Sequence, residues 1–519
     1  MTRIHTRILL SLCLVATLSA CATNPVTGKR ELHLISTDQE VAIGEKNYAF
    51  TAQVQGGPYA GSAAVGTYVA EVGAKLAAVS DRPDLPYEFV VLNDPSPNAW
   101  ALPGGKIAVN RGLLTELNNE AELAAVLAHE IVHAAARHSA KQMEQGMILQ
   151  AGVAGVGALV GDRAASDLAV GGARLGAQLI SRRHGRHQEL ESDRFGMTYM
   201  SRAGYDPSAA IGLQETFVRL SGGGNPAWIT GLFSTHPPSP ERVEANRRTA
   251  QTLPPGGLIN SARYRARIAP LLETRSAFQL VAEGRESLAR GDAGTALKKA
   301  TDALTLAPGE DAAHALKGAA RLELKRPGEA EVALARALDG NDGYFAHHLM
   351  RGLIRQQRGR KTDARVDLER SLELLPTGSA HLALGEMDLA RGDETAASEH
   401  FSAAATGGGA TAAKAAQALA RLEVARAPGR YIGVGADLDA RGMVVVRIMN
   451  HAPIPVRDVE ITVRLKGPDG RLGPQVRVPF AGPIPAGAGV RTATAIGPIA
   501  AELGPGVVHL LVTGAAVAE

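Results

Sequence analysis

Cysteine is scarce in this chain of 519 residues, which contains only two. Cys13 lies inside an apolar N-terminal stretch, and Cys21 follows directly after that stretch. If the stretch is removed as a leader, a single thiol remains and no internal disulfide can form. The fold must then be held together by packing, by a bound metal ion, or by both.

Aromatic residues are also scarce, at 4% of the chain, although hydrophobic residues reach 45%. We therefore expect cores built mainly from Ala, Leu and Val, divided over two to four domains because the chain is too long for one core. The formal net charge is only +3. This balance gives no overall attraction to nucleic acid, so no nucleic-acid partner is expected.

Long apolar runs are missing after the N-terminus, where no segment reaches the roughly 18 unbroken residues of a membrane span. The one apolar stretch, 8-ILLSLCLVATLSA-20, is too short to span a bilayer comfortably and follows the basic residues Arg3 and Arg7. A basic start, an apolar stretch and a small-residue cleavage site together predict a secretory leader.

The end of this stretch, Leu-Ser-Ala followed by Cys21, resembles the bacterial lipobox, in which cleavage precedes an acylated cysteine. The alternative is an ordinary leader with a chance cysteine. Ala22 is not the aspartate that retains some lipoproteins in the inner membrane. The sequence thus predicts a bacterial envelope protein, attached to the outer membrane through lipid on Cys21 and facing the periplasm.

Small residues recur at spacings of 34, 34 and 33 between residues 275 and 426. The two clearest series are Gly284, Gly318, Gly352 and Gly385, and Ala296, Ala330, Ala364 and Ala397. Small side chains at a fixed period let paired helices approach closely, and this period resembles the tetratricopeptide repeat. We expect an α-solenoid of such repeats whose concave face binds extended peptide or a protein partner.

The pattern changes after Pro428 to short β-rich runs, such as 442-GMVVVRIMNH-451 and 456-VRDVEITVRL-465, separated by turn residues. Five to seven short strands of this kind predict a small antiparallel β-sandwich. No catalytic constellation is visible in this part of the sequence.

The strongest chemical signal is 127-LAHEIVHAAARHSA-140. On a helix, His129 and His133 lie one above the other, so their imidazoles can share a cation. Glu130 is rotated by about 100° and can reach the same ion's water without binding the ion. The pattern H-E-x-x-H is typical of two zinc ligands and a general base, although it also arises by chance in solvated or core histidine pairs.

A catalytic zinc site needs a third protein ligand. The metzincin extension would need Gly and His where this chain has Ala136 and Ser139, so that alternative fails. His138 lies about 140° around the helix from His133 and so points elsewhere, and we interpret it as a surface histidine.

The segment 181-SRRHGRHQELESDRFGMTYM-200 offers carboxylates for the missing position. Glu189 and Asp193 share one helical face, so one can bind the metal while the other holds a ligand imidazole. Glu191 points away from them, and we interpret it as a solvated carboxylate whose loss would leave zinc bound. His184 and His187 lie in a basic run and are also interpreted as solvated.

Together the two segments resemble the HtpX- and BepA-type zinc metallopeptidases, a family that also includes the CAAX prenyl endopeptidases. The resemblance extends over about residues 24–250. Three more segments contribute to it: 24-NPVTGKRELHLIS-36, 98-NAWALPGGKIAVNRGLL-114 and 234-STHPPSPER-242. A repeat array after the peptidase is similar to BepA.

This resemblance implies a role for individual residues. One Zn²⁺ per chain is bound by His129, His133 and Glu189, with Glu130 as general base and Asp193 orienting a ligand histidine. His236 matches a histidine that can approach the metal and hold a resting state; the alternative is a His-Pro turn beside a helix. The substrate-facing strand contains Asn98, Ala99, Trp100, Ala101 and Leu102.

Two features depart from the family pattern. The chain has no apolar runs like the membrane spans of HtpX-like members, so intramembrane substrates are not expected. It also has a C-terminal β domain that BepA-like proteins do not imply.

The predicted architecture is multidomain, with an α+β zincin-like metallopeptidase domain, an α-solenoid and a small β-sandwich. The expected boundaries are a leader at 1–20, the metallopeptidase domain at 21–265, the repeats at 275–426 and the β-sandwich at 430–519.

The leading functional hypothesis is a lipid-anchored zinc endopeptidase that degrades misfolded or misassembled envelope proteins. Its expected partners are unfolded or misassembled envelope polypeptides, a protein on the repeats, and the membrane through the lipid anchor. The alternatives are a chaperone or assembly scaffold that acts through the repeats with little proteolysis, and a zinc-bound but inactive protein.

Overall fold

The computed structural model describes residues 21–147, 184–221, 232–467, 469–500 and 502–518. The expected leader lies outside these ranges. In the part of the chain that the structure describes, no helix combines the length and the apolar character needed to cross a membrane.

The N-terminal region mixes short strands with helices. Its elements in chain order are β1 (Cys21–Thr23), β2 (Arg30–Leu32), α1 (Thr37–Val54), α2 (Ala63–Ala77), β3 (Glu88–Leu92), β4 (Ala99–Leu102), β5 (Lys106–Asn110), α3 (Arg111–Leu114), α4 (Glu120–Ala135), α5 (Arg186–Arg202), α6 (Ala209–Ser221), α7 (Leu232–Thr235), α8 (Pro240–Ala250), α9 (Ser261–Arg267) and α10 (Ala269–Glu273). Residues 138–147 are also helical.

Helix α4 is the centre of the first hydrophobic core, and each of its residues is buried. Its N-terminus is capped by Asn119, whose side chain accepts a hydrogen bond from the backbone N–H of Glu122. Helices α2, α5 and α6 pack against α4. The small alanine side chains of α4 let these three helices pack closely around it. The polar side chains of α4 are therefore enclosed inside the protein.

A three-stranded sheet lies beside this helix in the order β3-β5-β4. Strands β3 and β5 are parallel, and β4 is antiparallel to β5, so β4 and β5 form a hairpin. The turn needs glycine, because Gly104 has φ of +79° and a Cβ there would lie 2.6 Å from Val41 Cα. Within the described residues, β4 is an edge strand that pairs on one side only.

The repeat region consists of helix pairs, as the 34-residue period predicts. Its helices are α11 (Arg275–Ala289), α12 (Ala293–Leu306), α13 (Asp311–Glu323), α14 (Pro327–Gly340), α15 (Phe345–Gln357), α16 (Lys361–Leu374), α17 (Gly378–Ala390), α18 (Glu394–Ala405) and α19 (Gly409–Glu423).

The recurring glycines are close-approach positions between the helices of a pair. A Cβ at Gly318 would lie 2.9 Å from Leu334 Cγ, and one at Gly385 would lie 2.7 Å from Phe401 Cδ1. The recurring alanines are fully buried. The small residues of the repeat therefore serve helix packing, as the sequence predicts.

The chain forms two compact units, residues 1–351 and 352–519, and the boundary between these units falls inside the repeat region. The first repeats pack on the N-terminal region. Phe278 lies in the same core as α4, and the Arg111 guanidinium carbon is 3.3 Å from the Phe278 ring centroid. The buried Asp311 carboxylate accepts a hydrogen bond of 3.1 Å from Asn93 Nδ2.

The C-terminal region follows a short helix, α20 (Pro428–Tyr431), and is built from β6 (Ile432–Leu438), β7 (Val444–Asn450), β8 (Val456–Leu465), β9 (Val476–Phe480), β10 (Gly489–Ala493) and β11 (Val508–Val517). Two antiparallel sheets have the orders β10-β7-β6 and β11-β8-β9. Val446 of one sheet and Ile461 of the other belong to one hydrophobic core. The predicted short strands are therefore present in two sheets that bury a common core.

Glu310 generates a testable pH effect. The residue is 6% exposed. Burial, together with the neighbouring charge of Asp311, raises its pKa from 4.5 to about 7. A carboxyl whose folded pKa is raised favours folding fully below its unfolded pKa, and that contribution is lost as the pH rises through the folded pKa.

We expect Glu310→Gln, which carries no charge, to be more stable than the parent above pH 7 by about 1–3 kcal/mol. The two proteins should converge near pH 4.5, where the parent carboxyl is protonated in the folded state. Urea unfolding between pH 5 and 8 measures the difference, with Glu323→Gln as an exposed control. A difference that stays constant over this range would contradict the assignment.

Candidate metal centre

Two imidazoles of helix α4 face one point. His129 and His133 are one helical turn apart, and their Nε2 atoms are 3.0 Å from each other. Both side chains are buried. Because the helix begins at Glu120 and is regular to Ala135, the i, i+4 spacing is enough to bring the two rings together.

Helix α5 brings the carboxylates to the same place. Glu189 Oε2 is 3.5 Å from His129 Nε2, and Glu189 Oε1 is 3.5 Å from His133 Nε2. One turn later, Asp193 Oδ1 is 2.9 Å from His129 Nδ1. The two helices approach closely at Gly196, where a Cβ would lie 3.2 Å from the backbone nitrogen of His129.

His236 completes the cluster from the segment between α7 and α8. Its Nδ1 is 2.9 Å from Glu189 Oε1 and 3.3 Å from His129 Nε2. Its Nε2 is 3.6 Å from Glu130 Oε1. His236 therefore lies among the predicted ligands and beside the predicted base, rather than in a simple His-Pro turn.

Arg242 is also a member of the site, although no pattern in the sequence predicts a role for it. Its guanidinium holds Asp193 with two bonds of 2.7 Å and lies 2.9 Å from Glu189 Oε2. It is buried at the start of α8, where Ser239 caps the helix. The only sequence signal was its position in the quoted segment 234–242, three residues after that cap.

The charges of the cluster favour a cation at its centre. Burial opposes protonation of His129, but hydrogen bonds to Asp193 and Glu189 outweigh it and raise the pKa of His129 to about 10. Burial and the neighbouring histidines hold the pKa of His133 well below its usual value. Burial raises the pKa of both carboxyl groups, Asp193 and Glu189. Arg242 outweighs it at Asp193, and His236 with the neighbouring His129 outweighs it at Glu189, so both pKa values lie below their usual range.

The donor set fits a zinc ion. One donor atom from each of His129, His133, Glu189 and His236 lies within 4.8 Å of the others. The carboxylate on His129 Nδ1 favours a proton there, which leaves the Nε2 lone pair directed at the cluster. Imidazole and carboxylate donors in a buried group of this size are the ligands that zinc commonly uses.

Glu130 lies next to this group without belonging to it. The side chain is buried, and its Oε2 makes no hydrogen bond. Burial is the main reason that its pKa is raised above the usual value. A buried carboxylate with a free oxygen beside a metal is well placed to accept a proton.

Comparison with known proteins agrees with this geometry. Residues 64–250 match peptidase family M48. The chain carries a peptidase family M48 domain. The matched range contains every member of the cluster.

Curated relatives named as metalloendopeptidases or proteases are similar to part of the chain. The mitochondrial metalloendopeptidase OMA1 of Schizosaccharomyces pombe is 35% identical over 44% of this chain and 66% of its own length. The putative beta-barrel assembly-enhancing protease of Vibrio cholerae is 31% identical over 51% of this chain and 56% of its own. The Escherichia coli beta-barrel assembly-enhancing protease is 30% identical over 36% and 39%.

The chain thus spans between about two fifths and two thirds of the length of these relatives. Among solved structures, that of MamA matches at 20% identity over 28% of this chain and 85% of its own, with a TM-score of 0.24.

Three interpretations around the M48 centre were wrong. His138 is not a surface histidine; it is buried, and its Nδ1 is 2.9 Å from His133 Nδ1. Glu191 is not solvated, because its Oε1 is 3.1 Å from His138 Nε2 and its side chain is only 10% exposed. His184 is also buried, with its ring centroid 3.9 Å from that of His133. Only His187 is exposed as expected.

The predicted substrate strand of the M48 domain presents its backbone more than its side chains. Ala99, Trp100 and Leu102 are buried, while Asn98 and Ala101 are half-buried. Trp100 Nε1 donates a hydrogen bond of 2.9 Å to Gln55 Oε1. Because three of these five side chains are buried, the strand offers mainly main-chain groups for contact.

The ligand assignment of the M48 domain can be tested by metal content. Glu189→Ala should lose most bound zinc, because it removes a donor that faces both imidazoles and leaves Arg242 and His236 without their shared anion. Zinc per chain is measured on the purified variant by elemental analysis, with the exposed Glu244→Ala on α8 as control. Full zinc occupancy in Glu189→Ala would remove Glu189 from the ligand set.

Proposed function

We propose that this protein is a zinc-dependent endopeptidase, with His129, His133 and Glu189 as metal ligands and Glu130 as general base. The observation that carries the proposal is the buried group of four donors with an unpaired carboxylate oxygen beside it. The M48 domain and relatives that are named metalloendopeptidases support it.

The chain's own residues divide the chemical work. When bound, a zinc ion would acidify a water molecule and polarise the scissile carbonyl. Glu130 would accept the proton of that water and pass it to the amine of the leaving peptide. Asp193 keeps the His129 ring in place through Nδ1, and Arg242 fixes that carboxylate with two hydrogen bonds.

We infer that the arrangement with His236 among the donors is a resting state. A catalytic zinc site keeps one position open for water or substrate, and a fourth protein donor fills it. His236 also lies 3.6 Å from Glu130, the proposed base. If zinc is bound by the other three donors, the His236 side chain would have to move away to admit a substrate to the site.

The edge of β4 supports a broad choice of substrate. A peptide that adds a strand there is held by main-chain hydrogen bonds, which every sequence can make. Unfolded or misassembled envelope polypeptides present such extended segments. The repeats offer a second surface for a protein partner, which would bring particular substrates to the M48 domain.

Cys21 supports a location at the membrane. It begins the β1–β2 hairpin, which is joined to the end of helix α4 because buried Asn24 donates a hydrogen bond of 3.0 Å to the Ala136 carbonyl. A lipid on Cys21 would therefore tie the catalytic helix closely to the periplasmic face of the outer membrane. The similarity to relatives named beta-barrel assembly-enhancing proteases supports the proposal that the protein acts on envelope proteins at this membrane.

We expect Glu130→Gln to keep its zinc and its fold but to lose casein hydrolysis by at least about 100-fold, because it removes the proton acceptor and no ligand. Digestion is followed with and without a chelator, and the exposed Glu215→Gln should cleave like the parent. A Glu130→Gln variant that cleaves at the parent rate would reject the mechanism.

Casein digestion, together with a test for protection of unfolded proteins, distinguishes the endopeptidase from the chaperone or assembly scaffold. A scaffold that acts through its repeats should protect unfolded proteins equally well with Glu130→Gln and after zinc removal. Loss of casein cleavage in both conditions, with the parent active, favours the endopeptidase.

The anchor is tested in cells. Cys21→Ser should move the protein from the membrane pellet to the soluble fraction, since acyl chains provide the stable membrane attachment. Ala22→Asp is the matched variant, which should remain in the pellet but shift to the inner membrane. Pelleting of Cys21→Ser with membranes would reject the lipid anchor.

A further inference from the structure

We propose that His138 and Glu191 form a positioning relay that decides which nitrogen of His133 faces the metal. This inference rests on the proposed metal centre and adds two residues to it. Neither residue is a member of the donor group, and both act on it through His133.

The relay is a chain of two contacts that ends on a carboxylate. His133 Nδ1 is 2.9 Å from His138 Nδ1, and His138 Nε2 is 3.1 Å from Glu191 Oε1. His133 and His138 are each 1% exposed, so bulk water does not reach either ring. The other polar neighbour of His138 Nδ1 is Ser192 Oγ, at the longer distance of 3.5 Å.

The position of each proton in the relay follows from the carboxylate of Glu191. An ionised carboxylate can only accept hydrogen bonds, so Glu191 requires a proton on His138 Nε2. Neutral His138 then has its lone pair on Nδ1. Only one hydrogen fits between two ring nitrogens 2.9 Å apart, and it must belong to His133 Nδ1.

This tautomer is the one that a metal needs. A proton on His133 Nδ1 leaves the lone pair on Nε2, which faces His129 Nε2 at 3.0 Å and Glu189 Oε1 at 3.5 Å. The opposite tautomer would direct a proton into the donor group. His129 reaches the same result by a direct contact of its Nδ1 with Asp193.

A carboxylate places the proton on Nδ1 of both ligand histidines, but by different contacts. Asp193 acts directly on His129, while Glu191 acts on His133 through the intervening ring of His138. Glu189, Glu191 and Asp193 all come from α5. One helix thus supplies a ligand and the carboxylates that orient both histidines, although Glu191 lies on a different face from the other two.

The test compares substitutions that remove the relay with substitutions that keep its hydrogen-bonding capacity. His138→Leu leaves His133 Nδ1 without an acceptor, and Glu191→Leu releases His138 to either tautomer. His138→Gln and Glu191→Gln retain an amide oxygen that can accept the same hydrogen bonds. His187→Leu, an exposed histidine on the same helix as Glu191, is the control.

Zinc affinity is measured by competition with a chelator, after circular dichroism has shown that each variant is folded. We expect the two leucine variants to bind zinc about 10- to 100-fold more weakly, the usual effect of losing an outer partner of a ligand histidine. The two glutamine variants and the control should stay close to the parent.

A second readout follows the proton itself. Nitrogen-15 spectra of histidine-labelled, zinc-free protein should show His133 protonated at Nδ1 in the parent and a mixture of tautomers in Glu191→Leu. Folded leucine variants with parental zinc affinity would overturn the relay. Glutamine variants as weak as the leucine variants would also overturn it, by showing that packing and not proton placement matters. A parent that binds no zinc would instead reject the metal centre.

Discussion

The site depends on one constraint: nitrogen and oxygen donors are concentrated in one buried group, away from bulk solvent. The Nε2 atoms of His129 and His133 are 3.0 Å apart, and Glu189 is directed at both. Such a group is costly to bury unless a positive charge joins it. A proton supplies that charge partly, as the raised pKa of His129 indicates. A divalent cation supplies it fully, which is why the geometry favours metal binding.

The rest of the N-terminal region holds this group in place. Helix α4 is buried along its whole length, so its histidines cannot turn toward solvent. Arg242 and Asp193 fix one ligand, and His138 with Glu191 fixes the other. The first repeats pack on the same core through Phe278. A partner on these repeats would therefore bind to the same compact unit that contains the M48 centre.

Much of the site was predictable because its spacing is local. His129 with His133, and Glu189 with Asp193, are each one helical turn apart, so periodicity alone places each pair on one face. The 34-residue period was equally local and predicted the helix pairs of the repeats. The hairpin of β4 and β5 turns at Pro103-Gly104-Gly105, which is a turn signal visible in the sequence. Pairing between the two helices of the site came from the family resemblance.

Other features could not be read from the sequence. The predicted orientation of His138 requires that the helix continue through this residue. Helix α4 instead ends at Ala135, and Arg137 has φ of +62°, so the chain turns before His138. Glu191 does point away from Glu189, but the space on that side is occupied by His138 rather than by solvent. Arg242 gave no periodic signal, because its role depends on how α8 meets α5. The unit boundary at residue 351 likewise depends on packing between distant segments.

Anomalous diffraction at the zinc edge, on crystals of the protein loaded with zinc, would show whether the buried donor group binds the metal. We expect a single peak about 2.0–2.2 Å from His129 Nε2, His133 Nε2 and a Glu189 oxygen. His138 and Glu191 should lie outside bonding distance of that peak. A peak bound to Glu191, or a zinc site without both α4 histidines, would show that the ligand assignment is wrong.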